Sequence, residues 1–291
     1  MTNNNTWSKF RILVANNCNY KCPFCHNEGQ EKPQKANLMS KENFMDLVDI
    51  LSTGPIDELN LSGGEPFLNK NIVEMIEYAD KRLVCDISCA TNFSLINSKQ
   101  IERLSKTRVK LNIQFPYVNE KAFHQSTGNG NLTAILQNID LARNFGLNIG
   151  LNTVIQTENQ EDYEHIIKFA IGRELPLKLL PQIGGNNSKK YKDFIFPILN
   201  RYSVDYVDKG CGALRWILKK GEHSTSVLYI DSPCFYGDIE TCKKFAEIRI
   251  HPDLTAQTCI MKESSEQLYL NKGPQYVINQ LQSLWKNFTT C

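Results

Sequence analysis

An α/β fold, with a parallel sheet curled into a partial barrel, is predicted for these 291 residues by three observations. Six short β-branched or aliphatic runs recur over the first 185 residues. Helical periodicity fills the intervals between them, the pattern of βαβ units. The two faces of each run also differ in polarity.

The runs are FRILVA (10–15), ELNLSG (58–63), VCDISCA (84–90), VKLNIQF (109–115), NIGLNTVI (148–155) and LKLLPQI (177–183). Ser40 is placed to cap a helix carrying Phe44, Leu47, Val48 and Leu51, which Gly54-Pro55 stops. Leu132, Ile135, Leu136 and Ile139 repeat the spacing, closed by Gly146, and Tyr163, Ile166, Ile167 and Ala170 repeat it before Gly172. Six such units are too few for an eight-stranded barrel, so a partial (β/α)6 barrel of TIM type is expected over 1–185.

Alternation adds a prediction about the interior. Leu59/Leu61, Cys85/Ile87/Cys89, Leu111/Ile113/Phe115 and Leu177/Leu179 form the apolar faces. Opposite them stand Asn60/Ser62, Asp86/Ser88, Asn112/Gln114, Asn148/Asn152 and Lys178/Gln182. An ordinary barrel fills its lumen with Val, Ile and Leu, and burying this many unpaired polar groups costs a few kcal/mol each, ~2 or more. The lumen is therefore expected to hold water or a polar ligand, the alternative being an open sheet with one solvated face. Asp86, Asn152 and Lys178 are candidate substrate contacts on that face.

QIGGNNSKKYKD then connects to a small α+β C-terminal domain, 186–291, which holds five of the ten cysteines and a hairpin turning at His251-Pro252-Asp253. A net charge of +2 offers no basic stripe for nucleic acid, no run of about 20 apolar residues spans a membrane, and MTNNNTWSKF lacks the features of a signal peptide. Cysteines in a chain with no export signal read as reduced thiols and metal ligands, which places the protein in the cytoplasm.

Three of those thiols, Cys18, Cys22 and Cys25, sit within CNYKCPFC directly after the first strand. Structural zinc takes four ligands, and His26 is too close in sequence to supply the fourth. A [4Fe–4S] cluster normally takes four thiolates, so three would leave one iron open for a reacting ligand. A βα loop would set that iron over the barrel mouth.

C-x3-C-x2-C with Phe24 before the last cysteine, followed by SGGEPFL (62–68) after the second strand, resembles the radical S-adenosylmethionine superfamily. The resemblance implies a [4Fe–4S] cluster on Cys18, Cys22 and Cys25, whose open iron binds S-adenosylmethionine. It further implies reductive cleavage to methionine and a 5′-deoxyadenosyl radical that takes hydrogen from substrate, with a flavodoxin or ferredoxin as reductant. Within the superfamily, residues 9–185 are most similar to the GTP 3′,8-cyclase family of molybdopterin synthesis, on CHNEG (25–29), SGGEPFL, ATN (90–92), LNIQF (111–115) and GLNIGLNTVIQ (146–156). Carried over, the S-adenosylmethionine contacts fall on Phe24 beside the adenine, Gly63, Gly64, Glu65, Gln114 and Ile183. Thr91 and Asn92 lie at the mouth of the third strand, as site residues or as a strand end with a helix cap.

The same resemblance implies a second [4Fe–4S] cluster in the C-terminal domain, on Cys234, Cys242 and Cys259. Phe245 stands where that family has a cysteine, and Cys211 is the other thiol that could serve. Cys85 and Cys89 read as core, and Cys291 as irrelevant. Arg11 and Arg249 match arginines that hold the nucleotide. Asn60 and Glu247 replace arginines, Ala90 a threonine and Gly150 a lysine, and the chain ends NFTTC without Gly-Gly. Charge-assisted contacts to a triphosphate contribute about 1.5–3 kcal/mol each, so these exchanges argue against GTP. The expected activity is hydrogen abstraction from a polar natural-product, nucleoside or peptide substrate, with no leader-binding module in evidence at the N-terminus. GTP cyclisation is the alternative enzyme, and a non-catalytic iron–sulfur or zinc redox sensor is the alternative of another class. The pattern assigns no catalytic residue.

Overall fold

In a computed structural model of the chain, residues 7–25, 35–185, 187–244, 246–261 and 265–289 are described. His26, Phe245, Cys291 and most of CHNEG lie outside them. Six parallel strands form the centre of one sheet: β1 (Lys9–Leu13), β2 (Glu58–Ser62), β3 (Asp86–Thr91), β4 (Lys110–Gln114), β5 (Ile149–Ile155) and β6 (Leu177–Pro181). They pair in sequence order, each neighbour reached by a helical crossover.

The helices form where the periodicity places them. Helix α1 (Lys41–Leu51) begins at Ser40, whose side chain accepts from Asn43 N at 3.1 Å, and buries Phe44, Leu47, Val48 and Leu51. Then come α2 (Ile72–Arg82), α3 (Ser98–Leu104), α4 (Glu120–Thr127), α5 (Leu132–Asn144) and α6 (Gln160–Gly172). Gly146, at φ 70°, closes α5, its N–H reaching the carbonyl of Arg143. The apolar strand faces pack under these helices, with Leu59, Leu61, Cys89, Leu111, Ile113, Phe115 and Leu179 excluded from solvent. Cys85 and Cys89 belong to this core.

Residues beyond 185 extend the same sheet at both edges. After α7 (Lys192–Tyr202) come β7 (Ser203–Asp208), β8 (Ala213–Lys220) and β9 (His223–Ile230), and β9 runs parallel to β6. Past the short α8 (Ile239–Lys243), β10 (Ile248–Ile250) pairs parallel to β1 and turns into β11 (Thr255–Gln257) and β12 (Glu266–Gln267). The turn falls at the predicted position, with His251 N reaching the Thr255 carbonyl at 2.8 Å. Helix α9 (Pro274–Lys286) returns beside α1. The resulting order, β12-β11-β10-β1-β2-β3-β4-β5-β6-β9-β8-β7, keeps its two ends apart among the described residues. The expected C-terminal unit is thus joined to the six-stranded part by main-chain ladders on both sides. A parallel sheet that stops at six strands leaves two rows of unpaired backbone groups, and these strands satisfy them.

Candidate functional site

The two motif loops meet above the C-terminal ends of β1 and β2, and two glycines make the meeting possible. Gly64 N donates to the Ala15 carbonyl at 2.8 Å, and Glu65 N to the Asn17 carbonyl at 3.0 Å. A β-carbon on Gly63, at φ 141°, would lie 2.1 Å from Ala15 O, and one on Gly64 would lie 2.0 Å from Asn17 O. The glycine pair therefore serves first to let the thiol-bearing loop lie against the second loop. That loop is also pinned from the far side, where Lys21 N reaches Thr127 O at 2.8 Å and Asn129 Nδ2 reaches Asn19 O at 3.0 Å.

Glu65 is fully buried and does not face the cavity. One carboxylate oxygen accepts from Phe67 N at 3.0 Å and Thr91 Oγ1 at 2.7 Å, and the other from Asn92 N at 2.7 Å. Burial outweighs these donors and pushes its carboxyl up to about 7. Asn92 extends the chain of contacts, its Nδ2 lying 2.8 Å from Asn19 Oδ1 and 3.7 Å from Cys18 Sγ. Thr91 and Asn92 thus tie the glycine-loop carboxylate to the thiol loop, a role that neither reading of ATN anticipated.

Beneath the thiols lies a cavity of about 190 Å³ lined by Cys18, Cys22, Cys25, Ser62, Gln114 and Asn152 among others. Arg11, Phe24, Gly63 and Gly64 also line it. A second cavity of about 350 Å³ shares Phe24, Cys25 and Gly63 and is walled by Val154, Leu180, Ile183 and Ile230. A third, of about 250 Å³, meets the first at Asn112 and contains Lys178. Together they run from the mouth down the polar face of the strands. The predicted residues Phe24, Gly63, Gly64, Gln114, Ile183, Arg11, Asn152 and Lys178 all face this tract. Asp86 stands apart, because it opens β3 at the exposed N-terminal end of the sheet.

The lining fits a polar cofactor. Ser62 Oγ, Gln114 Nε2 and Asn152 Oδ1 are buried without a partner among the described residues, and each such orphan costs about 1–3 kcal/mol until something answers it. The adjoining apolar walls suit a planar base. Burial pushes the Cys18 thiol up to about 11 and the Cys22 thiol up to about 12, with charge repulsion among the three cysteines adding to it. Bare thiols here stay protonated at neutral pH, so a metal centre would displace their protons. Among the described residues no three His, Cys, Asp or Glu side chains close on one ion. A four-iron cube presents a separate iron to each thiolate and does not require that convergence.

In the C-terminal part, Cys234 sits in a turn after β9, its N–H held by Ser232 Oγ at 3.3 Å. Cys242 is buried in α8 and hydrogen-bonds the Cys234 thiol, which holds the latter below its usual value. Cys259 follows β11 and accepts from Met261 N at 3.4 Å. Cys211 occupies the β7–β8 turn at φ 56°.

Glu247 pairs with Arg11 and lies near Arg249, the two nucleotide-matching arginines. Arg11 Nε donates to its Oε2 at 2.6 Å and Nη2 to Oε1 at 3.2 Å, while Arg249 Nη2 lies 3.8 Å from Oε2. Asn60 also donates to it and accepts from Ser88. Burial alone would raise this carboxyl, but Arg11 and Arg249 hold it below the usual carboxylate range. Sequence reasoning missed Lys110 and Arg215 in the third cavity. Lys110 could have been found by carrying the Asn112/Gln114 alternation back two residues, whereas Arg215 lies in a region not read as strand.

Comparison with known proteins gives the family and the fold. The sequence profile of the Radical SAM superfamily matches residues 12–170, more than half of the chain. A GTP 3′,8-cyclase of Synechocystis sp. is 24% identical over 285 residues, covering 94% of this chain and 85% of that protein. A probable GTP 3′,8-cyclase of Pyrococcus abyssi is 28% identical over 201 residues, 66% of this chain and 63% of that one. Among solved structures, Streptococcus suis SuiB bound to S-adenosylmethionine superposes with a TM-score of 0.70 at 12% identity, over 96% of this chain and 66% of that one. A tagged anSMEcpe with bound AdoMet gives 0.67 at 13%, over 97% and 84%.

Proposed function

The chain belongs to the radical SAM superfamily and is an enzyme using a [4Fe–4S] cluster and S-adenosylmethionine, and from that premise we propose that it abstracts hydrogen from a small polar substrate held in its lumen. Bound together, cluster and cofactor supply one-electron cleavage to methionine and a 5′-deoxyadenosyl radical. Cys18, Cys22 and Cys25 hold the cluster, Ser62, Gln114 and Asn152 answer polar groups of the cofactor and substrate, and Phe24 and Ile183 flank the adenine. Glu65 positions the mouth through Thr91 and Asn92. No helix of the described residues is long and apolar enough to cross a membrane.

The observation that carries this reading is the convergence of three thiols, two loop-packing glycines and three orphaned polar atoms on one cavity at the strand ends. Anaerobic reconstitution with S-adenosylmethionine and dithionite tests it. 5′-Deoxyadenosine should form and be lost in Cys22→Ala, and its absence from protein carrying four irons would end the proposal. GTP 3′,8-cyclisation is the second reading, favoured by the names of the relatives and opposed by the carboxylate of Glu247 beside Arg11 and Arg249. Incubation with GTP and a search for the cyclised nucleotide separates the two. A second cluster on Cys234, Cys242 and Cys259 is part of the proposal, supported by the contact between the first two thiols.

A further inference from the structure

Asn92 turns an amide N–H toward the sulfur of Cys18, and its neighbours fix the amide in that orientation. Its Oδ1 accepts from Ser94 N at 3.0 Å and from Ser94 Oγ at 2.6 Å. A main-chain N–H can only donate, so the amide oxygen must face Ser94 and the nitrogen must face the thiol loop. Nδ2 then donates to Asn19 Oδ1 at 2.8 Å and toward Cys18 Sγ, 3.7 Å away. Asn19 Nδ2 donates in turn to Ser94 Oγ at 2.9 Å, which closes a ring of three side chains. Tyr20 N brings a second donor to Cys18 Sγ, at 3.3 Å.

Two details give the arrangement a purpose. The next residue, Phe93, is buried and stands at φ 64°, a left-handed backbone that bulky side chains rarely adopt. Asn138 Nδ2 holds its carbonyl at 3.0 Å. Beyond that turn, Ser94 lies back over Asn92 Oδ1, and backbone strain of this kind collects at functional sites. Helix capping does not account for Asn92, because α3 is capped by the side chain of Asn97.

We propose that Asn92 sets the reduction potential of the centre held by Cys18, Cys22 and Cys25, through the N–H it directs at Cys18 Sγ. The proposal rests on the radical-enzyme reading, which makes those thiols cluster ligands. Reduction there takes one electron from an external donor of the flavodoxin, ferredoxin or dithionite kind and leaves one more negative charge shared by the sulfurs. A hydrogen bond aimed at sulfur stabilises the more negative state and so raises the potential. Asn92 is a positioning residue, because it acts through Cys18. The ring with Asn19 and Ser94 keeps its donor aimed while the loop carries the centre.

A redox titration of the anaerobically reconstituted protein, followed by electron paramagnetic resonance, tests the proposal on the signal that changes when S-adenosylmethionine is added. Asn92→Leu, similar in volume but without the donor, should lower the equilibrium constant for one-electron reduction by about three- to tenfold, which is roughly 30–60 mV. Ser94→Ala removes a hydroxyl from the ring but spares the main-chain donor and the contact with sulfur, so its midpoint should match the wild type. Should Asn92→Leu fail to take up iron, Asn92→Ser serves in its place, with the same shift expected. Variants that keep the cluster and titrate at the wild-type potential would overturn the proposal. So would a shift in Ser94→Ala as large as in Asn92→Leu, or loss of iron from both Asn92 variants, since Asn92 would then be only a brace for the loop. Wild-type protein that forms 5′-deoxyadenosine at a potential indifferent to Asn92 loses only the tuning. Wild-type protein with no reducible cluster loses the radical reading itself.

Discussion

Arg11 and Glu247, 236 positions apart in sequence, form a two-pronged ion pair inside the lumen at 2.6 and 3.2 Å. The pairing is set by the ladder beside it, since Phe10 lies opposite Ile248 and Arg11 opposite Arg249 where β1 meets β10. It fastens β10 to the central sheet and gives Arg11, which still lines the first cavity, a carboxylate partner. Glu247→Ala leaves both guanidinium groups without their carboxylate. It should destabilise the protein by about 3 kcal/mol, read as a lower midpoint in urea denaturation.

Gly64→Ala should abolish the site with little change to the rest of the fold. The added carbon would lie 2.0 Å from Asn17 O, so the thiol loop must move. Iron retained after desalting and the rate of 5′-deoxyadenosine formation should both fall, the rate by about tenfold or more, since a misplacement of ~1 Å costs on the order of a hundredfold. Gly172→Ala, with open space around its β-carbon position, is the matched control.

Glu65→Ala removes the acceptor of three hydrogen bonds in a fully buried setting. With two N–H groups and one hydroxyl left unanswered, a loss of about 3 kcal/mol or more is expected, measured by thermal or urea unfolding of the metal-free protein. Glu65→Gln, which keeps the acceptor oxygen, should recover part of it.

Glu164 makes one separable contribution to the pH dependence. Hydrogen bonds from Lys168 and Tyr202, joined by Arg201, hold its carboxyl down at about 2, against an ordinary 4.5. A depressed folded value adds stability above the unfolded value that disappears as pH falls from 4.5 towards 2. Glu164→Gln should therefore be less stable than wild type at pH 7, by under about 1 kcal/mol for an ion pair at the surface. Urea melts across pH 7 to 3 should show the two curves converging.

The second cluster is checked by counting. Reconstituted wild type should carry about eight irons per chain, and Cys234→Ala or Cys259→Ala about four. A wild-type value near four would confine iron to the first loop.

Much of this was legible in the sequence because it is local. Period-two alternation separated Leu59/Leu61 from Asn60/Ser62, and the core and lumen follow that division. The thiol and glycine motifs each lie at a strand end, so their meeting could be anticipated from topology. Less legible was what the glycines do, since the 2.0 Å approach to Asn17 is made by a different loop. Asp86 was misjudged because alternation gives the face of a residue but not its height along the strand.

Periodicity and short motifs, which depend only on neighbours within a few residues, specified the six βα units, the polar interior and the superfamily. Which charges come to face one another was settled by folding alone, because Glu247 reaches Arg11, and Lys110 reaches the space beside Gly150, only once distant strands lie side by side. Electrostatic balance depends on distance in space, and that is the one quantity a linear order of residues does not carry.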